Sequence, residues 1–426
     1  MLANKEYKES GVVWLGKLPA HWDVTNYRRL FCRRKEYDDN PDKQVLSLTI
    51  EGVKRKNENF GKMAEDFTGH QIVRKDDLVF TPRDFDATPI LSGIAPCDGC
   101  ISNLYFVLYP RTLDIDVNFY NYFMWGVKWG GDIWKKLSYG MRFSYNYDQF
   151  CALPAIKIPI EEQKAIATYL DKECARIDGI VTTQRQIIER LKEYKKSVIT
   201  EAVTRGLNPD APMKDSGIEW IGDIPVSWDT IKLKFYGKIY NGSTPKSDNP
   251  EYYDGDITWV TPADMDNAST IINSKKTITE AGLESCGTNL VPKNSIVIST
   301  RAPIGVVCIA GKELCTNQGC KSIVPKDISC VKYPYYFLLT QSDTLNMLGK
   351  GTTFLELSTS DLSNYKIPFP AKKEQQTIAD YLDRECARID TIIEKRERMI
   401  ELMTEYKKSL IYECVTGKKE IVDVVE

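Results

Sequence analysis

A chain of 426 residues has room for two or three domains, and its 42% apolar and 27% charged residues are ordinary for a globular protein. The formal net charge of −2 argues against a protein that merely coats nucleic acid, while leaving room for local basic patches. No apolar run approaches the roughly 18 residues that span a bilayer. The stretch Met1 to Ser10 is polar, so the expected location is cytoplasmic, with the 12 cysteines as reduced thiols.

Residues 1–155 are rich in Tyr, Thr, Val, Ile, Gly and Pro, and short runs such as Leu78-Val79-Phe80 predict a strand-rich domain. Gly11 to Lys17 has the spacing of a phosphate-binding loop, but Leu18 replaces the hydroxyl that would hold magnesium. Cys97-Asp98-Gly99-Cys100 is a single CxxC without the second ligand pair that a closed zinc site needs. Basic residues cluster at Arg28, Arg29, Arg33, Arg34 and Lys35, and again at Lys54, Arg55 and Lys56. Residues 156–205 then predict one long helix. Leu170, Ile177, Gln184, Leu191 and Val198 fall seven apart, with Ile180, Ile187 and Tyr194 assigned between them as a coiled-coil seam.

The linker Gly206 to Pro212 is too proline-rich to continue that helix. Residues 206–366 predict a second strand-rich domain, with Ser295 to Ser299 as a strand and Asn249-Pro250 as a turn before one. Residues 367–420 predict a second helix, whose seam is Leu382, Ile389, Arg396, Met403 and Leu410, joined by Ile392, Met399 and Tyr406.

These segments are one plan written twice. Lys8-Glu9-Ser10-Gly11 through Trp14 and Trp22 returns 206 residues later as Lys214-Asp215-Ser216-Gly217 through Trp220 and Trp228. Tyr169-Leu170-Asp171, Ala175-Arg176-Ile177-Asp178 and Glu193-Tyr194-Lys195-Lys196-Ser197 return 212 residues later, almost letter for letter. Chain direction through the short linker predicts an antiparallel helix pair with a head at each end, related by an approximate two-fold axis. The fold class is α+β. The duplication also removes catalytic readings: His21 and His70, the two histidines, do not recur, and Asp223 stands where Lys17 would serve a phosphate.

In this order, and twice, the features resemble the specificity (S) subunit of type I restriction-modification systems. The resemblance rests on the Trp-containing openings, on Gly242-Ser243-Thr244-Pro245 followed by Asn249-Pro250-Glu251-Tyr252-Tyr253, and on Glu162-Gln163 and Glu374-Gln375 leading into the repeated helix motifs. It implies two target-recognition domains that each read half of a bipartite sequence in double-stranded DNA. It also implies helices that set the spacer and dock two modification (methyltransferase) subunits, joined by restriction subunits. The chain itself is then non-catalytic and holds no cofactor or metal, and S-adenosylmethionine, ATP and Mg belong to the partners. The first domain lacks the Gly-Ser-Thr-Pro segment, as expected if the halves read different bases.

Base and phosphate contacts call for Arg, Lys, Asn, Gln, Ser or Thr on loops. The candidates are Arg83 and Arg301, which follow matching strands, then Lys54, Arg55, Lys56 and Arg142, and in the second half Ser243, Thr244, Lys246 and Lys350. The repeated helix charges Arg176, Asp178, Lys195, Lys196, Arg388, Asp390, Lys407 and Lys408 are assigned to a partner, because coiled-coil packing does not explain them. The competing readings are a duplicated adaptor that binds two copies of a protein, and a fused methyltransferase or nuclease.

Overall fold

The computed structural model describes residues 6–37, 44–56, 69–85, 89–138, 140, 143–265, 269–327, 331–350 and 355–421. The chain divides into two compact units, Met1–Arg185 with Glu397–Glu426 (unit 1) and Gln186–Arg396 (unit 2). Arg142 lies outside the described residues. Among them no helix is long and apolar enough to cross a membrane.

Unit 1 holds an antiparallel sheet of β1 (Phe31–Arg33), β2 (Leu78–Phe80), β3 (Ser92–Ile94) and β4 (Phe106–Pro110), in the order β1-β4-β2-β3. Phe31, Phe80, Phe106, Trp134 and Phe150 share one core beneath it, with Phe80 4.8 Å from Phe150 and 5.0 Å from Trp134 between ring centroids. Helix α1 (Ile160–Arg205) leaves this head. Unit 2 repeats the plan with β5 (Gly237–Asn241), β6 (Thr270–Ile271), β7 (Ile296–Ser299), β8 (Val307–Ala310) and β9 (Cys320–Pro325), ordered β5-β9-β7-β8-β6. Its first four members match unit 1 in order and direction, and β6 adds a parallel edge strand. Helix α2 (Lys372–Val415) follows. The expected α+β class, with two strand-rich heads and two long helices, is what the chain forms.

Each unit contains a piece of both helices. In unit 1 Asp178 meets Lys407, and Cys174 lies near Cys414. In unit 2 Lys195 meets Asp390, and Glu201 lies near Tyr381. Within each unit the helices therefore run antiparallel.

The seam differs from the expected one on one side. Leu170, Ile177 and Gln184 are buried as expected, but the intervening positions are Cys174, Val181, Ile188 and Lys195, not Ile180, Ile187 and Tyr194. In α2 the same shift buries Cys386 and Cys414, leaves Ile393, Ile400 and Lys407 partly buried, and leaves Met399 and Tyr406 exposed. Apolar residues stand on both sides at 180/181, 187/188, 392/393 and 399/400, so a period of seven alone does not choose between them. The buried cysteines take the inner side. Burial pushes the Cys174 thiol up to about 11 and Cys414 up to about 12, so both stay protonated.

Lysine on a seam needs a partner, and the facing helix supplies one. Lys195 Nζ lies 2.7 Å from both carboxylate oxygens of Asp390, and Lys407 Nζ 2.6 and 2.8 Å from those of Asp178. Each pair is the other displaced by 212 residues. The reason for assigning Asp178, Lys195, Asp390 and Lys407 to a partner therefore does not hold, because helix pairing uses all four. Both pairs are partly solvated, so a double-mutant cycle on Lys195 and Asp390 should give a coupling of ~0.2–1 kcal/mol in urea denaturation. A coupling of zero would remove these pairs as register marks.

Candidate nucleic-acid interface

The repeated motifs assemble the necks that carry the heads. Gly11 to Lys17 is the turn of a hairpin between Tyr7–Glu9 and Lys17–Pro19, not a loop leading from a strand directly into a helix as a phosphate-binding loop is. Beyond it, the Trp22 indole donates to Glu162 Oε2 at 2.8 Å, and His21 Nε2 lies 2.7 Å from Glu162 Oε1. Gln163, fully buried, donates to the carbonyls of Asp114 and Ile158 and accepts from the Asp116 amide, which staples the start of α1 to the head. Gln375 donates to the Pro370 carbonyl at the start of α2. Tyr122 donates to Asp171 and Tyr336 to Asp383, both at 2.8 Å. The Glu-Gln and Tyr-Leu-Asp motifs are thus joints between head and helix.

In unit 1, Arg33, Arg83, Asn103, Leu104, Phe106 and Asn146 help to line an open recess of about 410 Å³. Arg83 sits there because β2 ends at Phe80 and the next turn is pinned by the Tyr145 amide donating to the Pro82 carbonyl. Arg33 comes from the end of β1. Its guanidinium lies 4.7 Å from the Phe106 ring centroid and 5.5 Å from that of Tyr147, and its Nε is buried without an acceptor among the described residues. Its neighbour Arg34 points the other way, as strand alternation requires. Arg34 is bound to Asp77 at 2.8 and 3.0 Å and to Glu36 at 3.0 Å. Lys54 and Arg55 lie apart from the recess on the hairpin strand Gly52–Arg55, where Lys54 pairs with Glu51, and Lys56 follows them.

In unit 2 the matching corner is wired differently. Arg301 donates to Glu356 Oε2 through Nε at 3.0 Å and lies 2.9 Å from it through Nη2. The buried Lys321 reaches Glu356 Oε1 at 3.8 Å. Burial lowers the Lys321 pKa, and Glu356 partly offsets this. Lys350 exchanges backbone hydrogen bonds with Glu356 and pairs with Asp361 at 3.2 Å. Thr300 donates to the Gly319 carbonyl next to Gln318, whose side chain holds the Thr244 hydroxyl. Arg301, Lys350 and Thr244 therefore share one edge. Ser243 serves the loop itself, with its amide on the Thr316 carbonyl and its own carbonyl accepting from the Trp259 indole. Lys246 is exposed on the same loop.

The helix faces carry a second repeated surface. Arg176 binds Glu173, and Arg388 binds Glu385, each at 2.8 Å through Nη2 and both exposed. Lys408 pairs with Glu405, and Lys196 with Asp343. Tyr406 and Tyr169 lie within electrostatic reach of Arg176, and Tyr194, with Arg388, lies within reach of Tyr381. Tyr194 is 51% and Tyr406 44% exposed, so both tyrosines belong to the surface and not to the seam. The sequence reading placed both tyrosines in the seam, named Arg33 only within a basic cluster, and missed Asn103. Only the letter-for-letter repeat of Glu-Tyr-Lys-Lys-Ser signalled the tyrosines.

No group of three or more metal-ligating side chains is present among the described residues.

Residues 225–402 match the family model described as a type I restriction modification DNA specificity domain. The MjaIX specificity subunit of Methanocaldococcus jannaschii is 40% identical over 187 residues, covering 43% of this chain and 42% of that protein. The EcoR124I/EcoR124II specificity subunit of Escherichia coli is 32% identical over 200 residues, covering 44% and 48%. These matches span less than half the length of either relative. Among solved structures, a chain from a type I restriction-modification assembly superposes with a TM-score of 0.72 at 16% identity, covering 94% of this chain and 99% of that one. The HsdS subunit of Thermoanaerobacter tengcongensis gives 0.51 at 16% identity over 94% and 98%. At such identities the likeness is one of fold.

Proposed function

We propose that this chain is a type I restriction-modification DNA specificity subunit and that it reads a bipartite duplex target, one head per half-site. Residues 1–155 and 206–366 are the recognition domains, and 156–205 and 367–420 are the spacer helices. In the cytoplasmic complex the chain is non-catalytic. Two modification subunits dock on the repeated helix surfaces around Arg176 with Tyr406 and Arg388 with Tyr194, and restriction subunits join them.

One observation carries this reading. The heads share the order of four sheet strands and the Tyr-to-Asp contact at the neck, yet the equivalent arginines differ in state, since Arg301 is tied to Glu356 while Arg83 has no ion pair among the described residues. A scaffold for two copies of one protein has no use for that difference, whereas a reader of two unlike half-sites requires it.

The test is selection from a randomised duplex library by the full chain together with its partner subunits. The expected result is two unlike short motifs at a fixed gap, with binding that falls steeply as salt rises. Sequence-independent, salt-insensitive binding would leave the adaptor reading standing. Adding seven residues to each long helix keeps the seam in phase. At about 1.5 Å per residue and about 3.4 Å per base pair, it should lengthen the unread gap by about three base pairs. The bases read should stay the same. An unchanged gap would refute the ruler role.

A further inference from the structure

We propose that Arg33, with Arg83 beside it, reads a guanine in the half-site met by unit 1. This rests on the DNA-reading function above and names the ligand of one recess. Arg28 and Arg34, in the same basic cluster, are committed to Asp148 and to Asp77 with Glu36. Arg33 is not. Its cationic plane is held by the Phe106 and Tyr147 rings, and among the described residues its Nε is buried without an acceptor and no carboxylate lines the recess it shares with Arg83. Stacking on aromatic rings removes rotamer freedom from a long side chain and leaves its planar fork set for a ligand with two acceptors.

The recess selects among bases by its chemistry. In the major groove guanine shows two adjacent acceptors, N7 and O6, whereas adenine and cytosine present an amine that would meet two cations. A phosphate would take the same charge, but the apolar wall of Leu104, Phe106 and Pro82 suits the edge of a base better. Unit 2 supplies an internal contrast. Ile239 stands at the place in β5 that Arg33 holds in β1, and Glu356 occupies Arg301. Arginine-read guanine should therefore be confined to one half-site.

The experiment is the same library selection with the full chain and its partners, comparing wild type with Arg33→Ala, Arg33→Lys and Arg301→Ala. Arg33→Ala should reduce the preference for guanine at one position by roughly tenfold to hundredfold. The other half-site, identified by its response to Arg301→Ala, should not change. Arg33→Lys keeps the charge without the fork, so it should lose the guanine preference while retaining salt-dependent affinity. Uniform weakening on every sequence would make Arg33 a phosphate contact. Losses in both half-sites would make its role structural, and a unit 1 half-site without guanine would end the proposal outright. Wild-type protein that selects no motif would instead remove the DNA-reading function itself.

Discussion

Trp228→Ala should destabilise unit 2 by about 3–5 kcal/mol, the cost of emptying a fully buried large aromatic site. The Trp228 ring is 0% exposed and packs where α1 ends. Gly206, the residue after that helix, has φ +76, and a Cβ placed on it would lie 3.2 Å from Cζ2 of the indole. Tyr333 meets the same ring edge-on at 6.1 Å and donates to the Val203 carbonyl, closing one of the last carbonyls of the helix. Removing the indole thus opens a cavity and loosens the cap together. Unit 1 has the same joint at the other helix end, where Gly417, at φ +71, abuts Pro19 and Trp22. Hydrogen exchange on the two variants separates the joints. Trp228→Ala should release protection in β5, β7 and β9 and leave β1, β2 and β4 unchanged, and Trp22→Ala should do the reverse. Equal release in both units from either variant would show that the joints are not local.

How much of this is legible in the residues depends on the distance over which they act. The duplication, the long helices and the strands at Leu78 and Ile296 lie in local pattern, which a period or a repeat exposes. Which side of the seam is buried is not local. Ile187 and Ile188 are equivalent to any periodicity argument, and the facing helix decides between them. The same holds for the charges. Lys195 reads as a surface residue until Asp390, 195 positions away, is seen to meet it. Arg301 and Arg83 look alike in sequence, but Glu356, 55 residues beyond Arg301, neutralises one of them. Arg33 and Arg34 are adjacent letters, and only the pleat of β1 sends one to a carboxylate pair and the other to the recess.

A side chain at Gly242 should abolish recognition by unit 2 while leaving the other half-site intact. A Cβ there would stand 1.9 Å from the Asn317 carbonyl oxygen and 2.5 Å from Thr316 Oγ1, and the first of these is backbone that has no rotamer to yield. The close approach has a purpose: the Gly242 amide donates to the Cys320 carbonyl and the Ser243 amide to the Thr316 carbonyl, which pins the 316–320 loop to the end of β5. That loop carries Gln318, which holds Thr244, and Gly319, on which Thr300 hangs beside Arg301. Gly242→Ala should therefore cost ~1–3 kcal/mol, the range for overpacking, and Gly242→Val at least as much. The loss of specificity should exceed what that destabilisation alone would cause, because the displaced atoms position the reading edge. Library selection with Gly242→Ala at a temperature where unit 2 remains folded checks this, and an unchanged unit 2 motif would refute it. Unit 1 tolerates a different residue at the corresponding place because it closes the corner by charge. Glu36 stands there, held by Arg34 at 3.0 Å and Arg74 at 3.1 Å, with Asp77 completing the network. One corner is fixed by backbone contact and the other by ion pairs, so the Gly-Ser-Thr-Pro segment is confined to one half of a duplicated chain. Under the proposed function, the same divergence would leave each head free to present a different set of donors and acceptors to its half of the target.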